Sequence, residues 1–156
     1  MTFSLARENA KIGLDPFGAL LVFGGKVKAT SADQSVRYSD PTAHAELALI
    51  SEYCRQHKLM DLKGYTLYSS AEPCIMCSGA IHWAKISRVV FGVSQAGLQR
   101  VSGGKAKPSS APLINSGGKS VEVIGPLLEE EGLAVLREFP FRSKRARWEE
   151  WHQQDA

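Results

Sequence analysis

His44-Ala45-Glu46 and Pro73-Cys74-Ile75-Met76-Cys77 are two segments that must meet in space if their side chains bind one metal ion. Neutral imidazole and thiolate are preferred ligands of zinc, and the segments supply one imidazole and two thiols. Three protein ligands leave one tetrahedral position for water, which distinguishes a catalytic site from a structural site with four protein ligands. The sequence therefore predicts one catalytic zinc ion per chain, bound by His44, Cys74 and Cys77.

Each of the two segments is predicted to begin a helix. Cys74 and Cys77 are spaced i, i+3, which on a helix places them on the same face. Pro73 suits the first turn of that helix, where the partial positive charge of the N-terminus favours thiolates. Asp40 can cap the other helix, with Pro41 in its first turn. The two helix starts are expected to face each other across the metal.

Glu46 is the predicted proton-transfer residue. On a helix the side chains of His44 and Glu46 diverge by roughly 200°, so one ion is not expected to bind both. A carboxylate that is shielded from bulk water can have its pKa raised towards the working pH, which suits it to exchange protons with a substrate. Glu46 is therefore expected to act beside the metal without binding it.

A C-x-x-C pair has two other interpretations, a redox dithiol or half of a structural zinc ribbon. The sequence contains no second C-x-x-C, and its only other cysteine is Cys54. A redox pair would leave His44 and Glu46 without a role, so catalytic zinc is favoured. Cys54 falls in a helical pattern and is interpreted as a small buried apolar residue.

The chain has 156 residues, of which 44% are hydrophobic and 22% charged, as in an ordinary globular domain. We expect that domain to span residues 1–140, with residues 141–156 forming a C-terminal helical tail.

No apolar run approaches the roughly 18 residues that span a bilayer, so no membrane partner is expected. Two of the three cysteines are assigned to a metal. This use of cysteine is typical of proteins in the reducing cytoplasm. A net charge of +3 is too small to indicate nucleic acid by itself.

The predicted elements form a hairpin followed by alternating helices and strands. Helices are predicted over residues 2–11, 42–56, 74–84 and 127–139, and strands over residues 17–23, 26–30, 65–69, 87–92 and 121–124. Residues 102–110, rich in glycine and serine, are predicted to be a surface loop. This order indicates an α/β fold with three α/β/α layers around a mixed five-stranded sheet. The metal site is expected beyond the strand ends.

The chain resembles the cytidine deaminase superfamily, in particular the branch that contains guanine deaminases and tRNA adenosine deaminases. H-x-E followed by P-C-x-x-C is the signature of zinc nucleobase deaminases. The resemblance runs from Pro16 to Gly92 and fades beyond it. Its motifs are Pro16-Phe17-Gly18-Ala19, Asp40-Pro41-Thr42-Ala43-His44-Ala45-Glu46, Leu67-Tyr68, Glu72-Pro73-Cys74-Ile75-Met76-Cys77, Gly79-Ala80-Ile81 and Arg88-Val89-Val90-Phe91-Gly92.

The resemblance implies a cytidine deaminase-like fold and a hydrolytic reaction. An exocyclic amine on a nucleobase or nucleoside ring is replaced by oxygen, and ammonia leaves. The resemblance assigns zinc binding to His44, Cys74 and Cys77. It assigns to Glu46 the transfer of protons to the ring nitrogen and to the leaving amine.

The resemblance also implies substrate contacts and an assembly. The backbone amide of Ala45 and the backbone carbonyl of Glu72 would contact the amidine edge of the substrate, and Phe17 would pack near its ring. Such enzymes are commonly homodimers, so a homodimer is expected.

The identity of the substrate is less clearly indicated. Residues 81–85 are similar to the guanine deaminase version of this segment, which assigns Trp83 to substrate binding, with core packing as the alternative. Residues 93–98 lack the acidic residue and the Lys-Thr-Gly-Ala run of the tRNA enzymes. A guanine-like purine or a related heterocycle is therefore expected, with tRNA adenosine as the alternative.

Asp33 falls where the similar purine deaminases usually carry an asparagine that binds the substrate. Asparagine both donates and accepts hydrogen bonds, whereas an ionised aspartate only accepts. Asp33 would therefore favour a ring that offers N–H groups, such as another aminopurine, a pterin, a triazine or an isocytosine-like ring. A slip of one residue would place Gln34 in the pocket instead.

The C-terminal tail combines basic and aromatic residues. Its basic residues either bind phosphates or form a solvated face offset by Glu149 and Glu150; they are Arg142, Lys144, Arg145 and Arg147. By analogy with guanine deaminases, the aromatic residues could instead cover the pocket, even from a second chain; they are Phe139, Phe141, Trp148 and Trp151.

Overall fold

The computed structural model describes residues 1–153. Within that range the strands are β1 (Gly18–Phe23), β2 (Lys26–Ala32), β3 (Thr66–Ala71), β4 (Arg88–Val93) and β5 (Glu122–Ile124). The α-helices are α1 (Thr2–Lys11), α2 (Ala45–His57), α3 (Ile75–Trp83), α4 (Gln95–Ser102), α5 (Ser110–Ile114), α6 (Glu129–Arg137) and α7 (Lys144–Gln153). Residues 154–156 of the predicted tail lie outside the described residues.

The strands form one mixed sheet in the order β2-β1-β3-β4-β5. β1 runs antiparallel to both β2 and β3, whereas β3, β4 and β5 are parallel to one another. In the register, Leu20 of β1 lies opposite Tyr68 of β3, which lies opposite Val90 of β4. The carboxyl ends of β2, β3 and β4 therefore meet the amino end of β1 at a single edge of the sheet.

Helices cover both faces of the sheet, as the sequence predicts. Alternate strand residues point to opposite faces, so each face carries its own apolar core. One core packs α2 and α3 on the sheet through Leu21, Leu49, Leu67, Ile81 and Val89. The other joins the sheet to α1 and α6 through Phe3, Ala71, Val93, Leu133 and Leu136. The mixed five-stranded sheet and its three-layer arrangement are confirmed.

Two glycines allow α1 to lie directly on the second face. A Cβ atom at Gly92 of β4 would lie 2.4 Å from the ring of Phe3, and one at Gly132 of α6 would lie 2.7 Å from it. Real Cβ atoms do not approach other heavy atoms so closely. The Phe3 ring therefore occupies space that these two residues leave free.

The predicted starts of the two metal-ligand helices are wrong by one to three residues. α2 begins at Ala45 with His44 as its N-cap, and α3 begins at Ile75 with Cys74 as its N-cap. Asp40 caps a local turn instead, because its Oδ1 accepts hydrogen bonds from the backbone N and the Oγ1 of Thr42. Pro73 precedes the N-cap of α3 and does not enter its first turn.

Two helices that the sequence analysis did not predict follow β4. α4 begins after Ser94, whose Oγ accepts a hydrogen bond from the Gly97 amide at 3.0 Å. Serine is a preferred N-cap residue, so the sequence could have predicted the start of this helix. The predicted surface loop over residues 102–110 includes the last residue of α4 and the first residue of α5, Ser110, which is fully buried. Within residues 1–153 no helix combines the length and the apolar character that crossing a bilayer requires.

Candidate active site

The edge of the sheet described above carries most of the predicted site residues. Phe17 precedes β1, and Asp33 follows β2. Glu72 and Cys74 follow β3, and His44 lies at the N-terminus of α2. These residues line one cavity of about 450 Å³. The remaining lining residues are Asp15, Glu46, Ala71, Gln95, Leu98, Gln99, Ser102, Gly104, Lys105, Lys107, Phe141, Arg142, Lys144 and Arg147.

The three predicted zinc ligands converge at the base of α2 and α3. His44 Nδ1 lies 3.5 Å from Cys74 Sγ and 3.8 Å from Cys77 Sγ, and the three atoms all lie within 4.8 Å of one another. Tetrahedral zinc with ordinary Zn–N and Zn–S bonds separates such ligand atoms by about 3.6–3.8 Å. The donor set and its spacing therefore fit a zinc ion. No other group of three potential ligands was found within residues 1–153.

The ionisation of the two thiols also fits a cation. The hydrogen bond from Cys77 lowers the pKa of the Cys74 thiol to about 3, with a further contribution from His44. The hydrogen bond to Cys74 and burial raise the pKa of Cys77, because a second thiolate beside the first is unfavourable. A divalent ion removes this conflict, since it favours the thiolate form of both sulfurs. The N-termini of α2 and α3 add partial positive charge beside them.

Glu46 lies next to the three ligands but outside their group. Its Oε2 is 3.5 Å from Cys77 Sγ, and its Oε1 accepts a hydrogen bond from Ser69 Oγ at 2.9 Å. Burial raises the pKa of the Glu46 carboxyl, and the hydrogen bond from Ser69 opposes that shift. Ser69 was not singled out from the sequence, although a serine within a strand beside apolar residues signals a buried polar contact.

Asp33, and not Gln34, lines the cavity. Asp33 is only 2% exposed, and its Oδ1 accepts hydrogen bonds from the backbone N of Ser35 at 2.9 Å and from Ser35 Oγ. Burial raises the pKa of the Asp33 carboxyl, while the hydrogen bond from Ser35 lowers it. Its backbone is fixed by Asn9 Nδ2, which donates to the carbonyl oxygens of Asp33 and Asp15 at 2.8 and 2.7 Å.

Glu72 connects the site to the segment after β4. Its backbone carbonyl, the predicted substrate contact, accepts a hydrogen bond from Gln95 Nε2 at 2.7 Å. Its carboxylate accepts hydrogen bonds from the backbone N of Gln95 at 2.9 Å and of Ser110 at 2.7 Å. Glu72 therefore fixes the N-terminal ends of α4 and α5 against the cavity. Gln95 and Ser110 lie beyond the range of the sequence resemblance and were not predicted.

Two of the predicted substrate-binding residues do not line the cavity. Ala45 is fully buried between His44 and Glu46, at the first position of α2. Trp83 ends α3 with 79% of its surface exposed, so it neither packs in the core nor reaches the cavity of its own chain. Core packing of Trp83, the alternative prediction, is wrong because Trp83 lies on the exposed face of α3, whereas its neighbours Ile81 and Ala84 are buried in the core.

Helix α7 forms one wall of the cavity from the same chain. Arg147 Nη2 lies 2.8 Å from Asp15 Oδ1, and Lys144 Nζ lies 3.6 Å from Asp15 Oδ2. Trp148 Nε1 donates to Ser39 Oγ at 2.7 Å on the outer side. The tail therefore contacts the body of the protein through these polar groups and through Phe141, which packs against the second core. The division into a domain over residues 1–140 and a tail over residues 141–156 stays a prediction.

The comparison with known proteins identifies the family. Residues 1–93 match the family model of the cytidine and deoxycytidylate deaminase zinc-binding region. The chain belongs to the cytidine and deoxycytidylate deaminase family. Members of this deaminase family are hydrolases that act on C–N bonds. The predicted resemblance to the superfamily is confirmed.

Relatives within the deaminase family differ in substrate. A probable cytosine deaminase of Schizosaccharomyces pombe is 35% identical over 132 residues, covering 81% of this chain and 80% of the relative. A tRNA-specific adenosine deaminase of Buchnera aphidicola is 36% identical over 141 residues, covering 90% and 84%. Guanine deaminase of Bacillus subtilis is 40% identical over 91 residues, which is 58% of each chain. Family membership alone therefore leaves the substrate open.

Comparison with solved structures supports the same assignment of fold. A tRNA:A34 deaminase, studied for A-to-I editing at the wobble position of transfer RNA, has a TM-score of 0.73 to this deaminase-family chain. The two are 31% identical, and the match covers 86% of this chain and 94% of that chain. The predicted cytidine deaminase-like fold is confirmed.

Proposed function

We propose that this chain is a zinc-dependent hydrolase that deaminates an amino-substituted nucleobase or nucleoside, a guanine-like purine or a related heterocycle, and releases ammonia. The observation that carries the proposal is the convergence of His44, Cys74 and Cys77 beside the buried carboxylate of Glu46, at a cavity that His44, Cys74 and Glu46 line. One zinc ion per chain would bind there. We also propose a cytoplasmic location, since reducing conditions keep the two cysteine ligands as thiols.

The reaction assigns a task to four of the predicted site residues. Bound zinc would lower the pKa of water and so supply a nucleophile at neutral pH. Glu46, within hydrogen-bonding reach of the same space, moves protons from the water to the ring nitrogen and the leaving amine. Phe17 packs against the ring, while the Ala45 amide and the Glu72 carbonyl hold its amidine edge. Burial raises the pKa of the Glu46 carboxyl, which favours its protonated form.

Ammonia release from a panel of amino-heterocycles tests this proposal directly. The panel contains guanine, adenine, cytosine, isocytosine, a pterin, an aminotriazine and the corresponding nucleosides, each incubated with zinc-loaded protein. Release from at least one ring supports the proposal. Stoichiometric zinc with no release from any member, and no inosine formed in tRNA, would indicate a binding or structural zinc module instead.

A second candidate function is the conversion of adenosine to inosine in tRNA. It is favoured by the relatives named tRNA-specific adenosine deaminases, three of which match 90% of this chain. Such an enzyme must bind a base splayed out of a single-stranded loop. Salt-sensitive tRNA binding together with inosine formation, and no ammonia from small bases, would select this function.

Replacing Asp33 by Asn is expected to change substrate preference. Ser35 can still donate to Oδ1 of the asparagine, but the other carboxyl oxygen becomes an N–H donor. A ring that offers N–H groups to Asp33 would then face a donor. We expect its kcat/KM, relative to a ring that offers an acceptor, to fall roughly 10- to 100-fold.

The measurement is kcat/KM for the heterocycle panel with wild type and Asp33→Asn. Gln34→Glu is the matched control, because Gln34 neighbours Asp33 but does not line the cavity. Unchanged relative activity in Asp33→Asn would show that Asp33 does not contact the substrate.

We also propose that the protein is a homodimer, with α3 in the interface. Ile75, Gly79 and Trp83 are spaced four residues apart, so they lie on one face of α3. Ile75 and Trp83 are 65% and 79% exposed, and a Cβ atom at Gly79 would contact nothing within 4 Å. A second copy packed on this apolar face would remove it from water. A role for Trp83 in substrate binding would also require that second copy.

Trp83→Lys is expected to convert the dimer to monomer at micromolar concentration, because a lysine on the apolar face would be desolvated without a partner. Sedimentation velocity measures the change. Ile12→Lys is the control, since Ile12 is similarly exposed at the end of α1, on the opposite face of the sheet. A monomeric wild type, or a dimer that survives Trp83→Lys, would contradict this interface.

A further inference from the structure

We propose that the mouth of the active-site cavity is an anion-binding subsite, and that the substrate carries a phosphate group, as in a nucleoside monophosphate. This inference rests on the proposed deaminase function, whose reaction concerns only the ring. It adds a second recognition element at the other end of the ligand.

The mouth of the cavity has a positive balance of charge. Five basic residues line the cavity, namely Lys105, Lys107, Arg142, Lys144 and Arg147, and the first three of them are exposed at the surface. Asp15 compensates part of the charge of Arg147 and Lys144, and Glu150 pairs with Arg142, with 2.7 Å between Nη2 and Oε2. Lys105 and Lys107 form no salt bridge with any residue in the range 1–153. These two lysines are therefore free to bind a ligand.

The buried end of the cavity has the opposite character. Asp33 and Glu46 are 2% and 7% exposed, whereas Lys105, Lys107 and Arg142 are exposed at the surface. A complementary ligand presents a ring with N–H groups at the buried end and an anion at the mouth. A base joined through a sugar to a phosphate has this distribution of charge.

Helix α7 contributes basic side chains to the cavity and no buried side chain to either core. None of its described residues is buried, so it contributes no side chain to either core. Lys144 and Arg147 are three residues apart and lie on the same face, and both line the cavity. The Nε atom of Arg147 is buried and has no hydrogen-bond acceptor among the described residues. Desolvating this donor is unfavourable unless a ligand or water supplies an acceptor.

The arrangement fits a small ligand better than a nucleic acid. The five basic residues surround one concave opening, whereas nucleic-acid sites carry basic residues along an extended surface. Arg145, on the outer side of α7, is paired with Glu149 at 2.9 Å. The cavity volume of about 450 Å³ lies in the range of sites for drug-sized ligands and exceeds what a single base requires.

Equilibrium binding to zinc-loaded protein tests the subsite without requiring turnover. Guanosine, adenosine and cytidine are each compared with their 5′-monophosphates by calorimetry at low salt, with inorganic phosphate as a competitor. For the ring that binds, we expect the monophosphate to have a Kd at least about tenfold lower than the nucleoside. This advantage should shrink as salt screens the lysines. Equal Kd values for nucleoside and monophosphate would overturn the proposal.

The double variant Lys105→Ala/Lys107→Ala is expected to lose most of the phosphate advantage while binding the nucleoside as before. The matched control is Lys26→Ala/Lys28→Ala, which removes the same charge from exposed positions on β2 outside the cavity. A phosphate advantage that both double variants reduce equally would overturn the subsite, because long-range charge would explain it.

A further comparison with tRNA separates the remaining outcomes. Binding of tRNA that depends on Lys105 and Lys107, with no preference for any monophosphate, would overturn the small-ligand proposal in favour of nucleic acid. A monophosphate preference with no ammonia released from any ring would support the subsite and refute the proposed deaminase function. The two proposals can therefore fail separately.

Discussion

Glu46→Ala is expected to lose turnover by at least about two to four orders of magnitude while keeping its zinc. Glu46 transfers protons in the proposed reaction, and a positioned acid–base group contributes about 10²- to 10⁴-fold to rate. Its carboxylate lies beside the three metal ligands but does not belong to their group. The metal should therefore remain bound when the carboxylate is removed. Ammonia release and the zinc content of the purified protein measure the two parts of this prediction.

Two comparisons exclude loss of structure as the cause. Glu46→Gln preserves the size of the side chain and the hydrogen bond from Ser69, yet removes the exchangeable carboxyl proton, so it should be as inactive as Glu46→Ala. Both variants should show a cooperative thermal transition like that of wild type. Activity equal to wild type in either variant would refute the assigned role of Glu46.

Cys74→Ser is expected to lose stoichiometric zinc and, with it, all measurable turnover. A serine hydroxyl remains protonated at neutral pH, so it cannot replace the thiolate that zinc prefers. Removing a group that only supports a metal ligand already weakens binding by about 10- to 100-fold, and loss of a direct ligand should cost more. Zinc content after dialysis and ammonia release measure the effect.

Cys54→Ser provides the matched control for this prediction. Cys54 is the remaining cysteine, lies within α2, and is partly buried against the core beneath the sheet. Its substitution should leave zinc content and activity unchanged, apart from a small loss of stability. Retention of stoichiometric zinc by Cys74→Ser, or absorption spectra of the cobalt-substituted protein that require four protein ligands, would contradict the proposed catalytic metal site.

The sequence predicted secondary structure correctly where a local pattern of residues is compatible with only a few backbone conformations. Strands were predicted over residues 17–23 and 65–69, and the structure contains β1 and β3 there. The spacing of Cys74 and Cys77 predicted a shared helical face, and the structure brings their sulfurs within reach of His44. These inferences succeed because the repeat of a strand or helix fixes which neighbours share a face.

Local patterns were less informative at helix ends and after β4. Asp40 is a residue type that often caps helices, but its side chain accepts a hydrogen bond from the backbone N of Thr42 in a turn. His44 is therefore the N-cap of α2. The five-residue helix α5 carries too few apolar positions to show a period, and its burial depends on the contact of Ser110 with Glu72. Propensity cannot anticipate a hydrogen bond between residues so far apart in the chain.

By itself the sequence predicted the three candidate metal ligands, the nearby carboxylate and the layered α/β architecture, because residue type and the spacing within each motif indicate them. Only the tertiary structure decided that Asp33 lines the cavity in place of Gln34, that Trp83 lies at the surface, and that α7 brings Arg147 to Asp15. Those positions depend on contacts between segments more than a hundred residues apart in one case. Such contacts form only when the whole sheet and its covering helices are packed together.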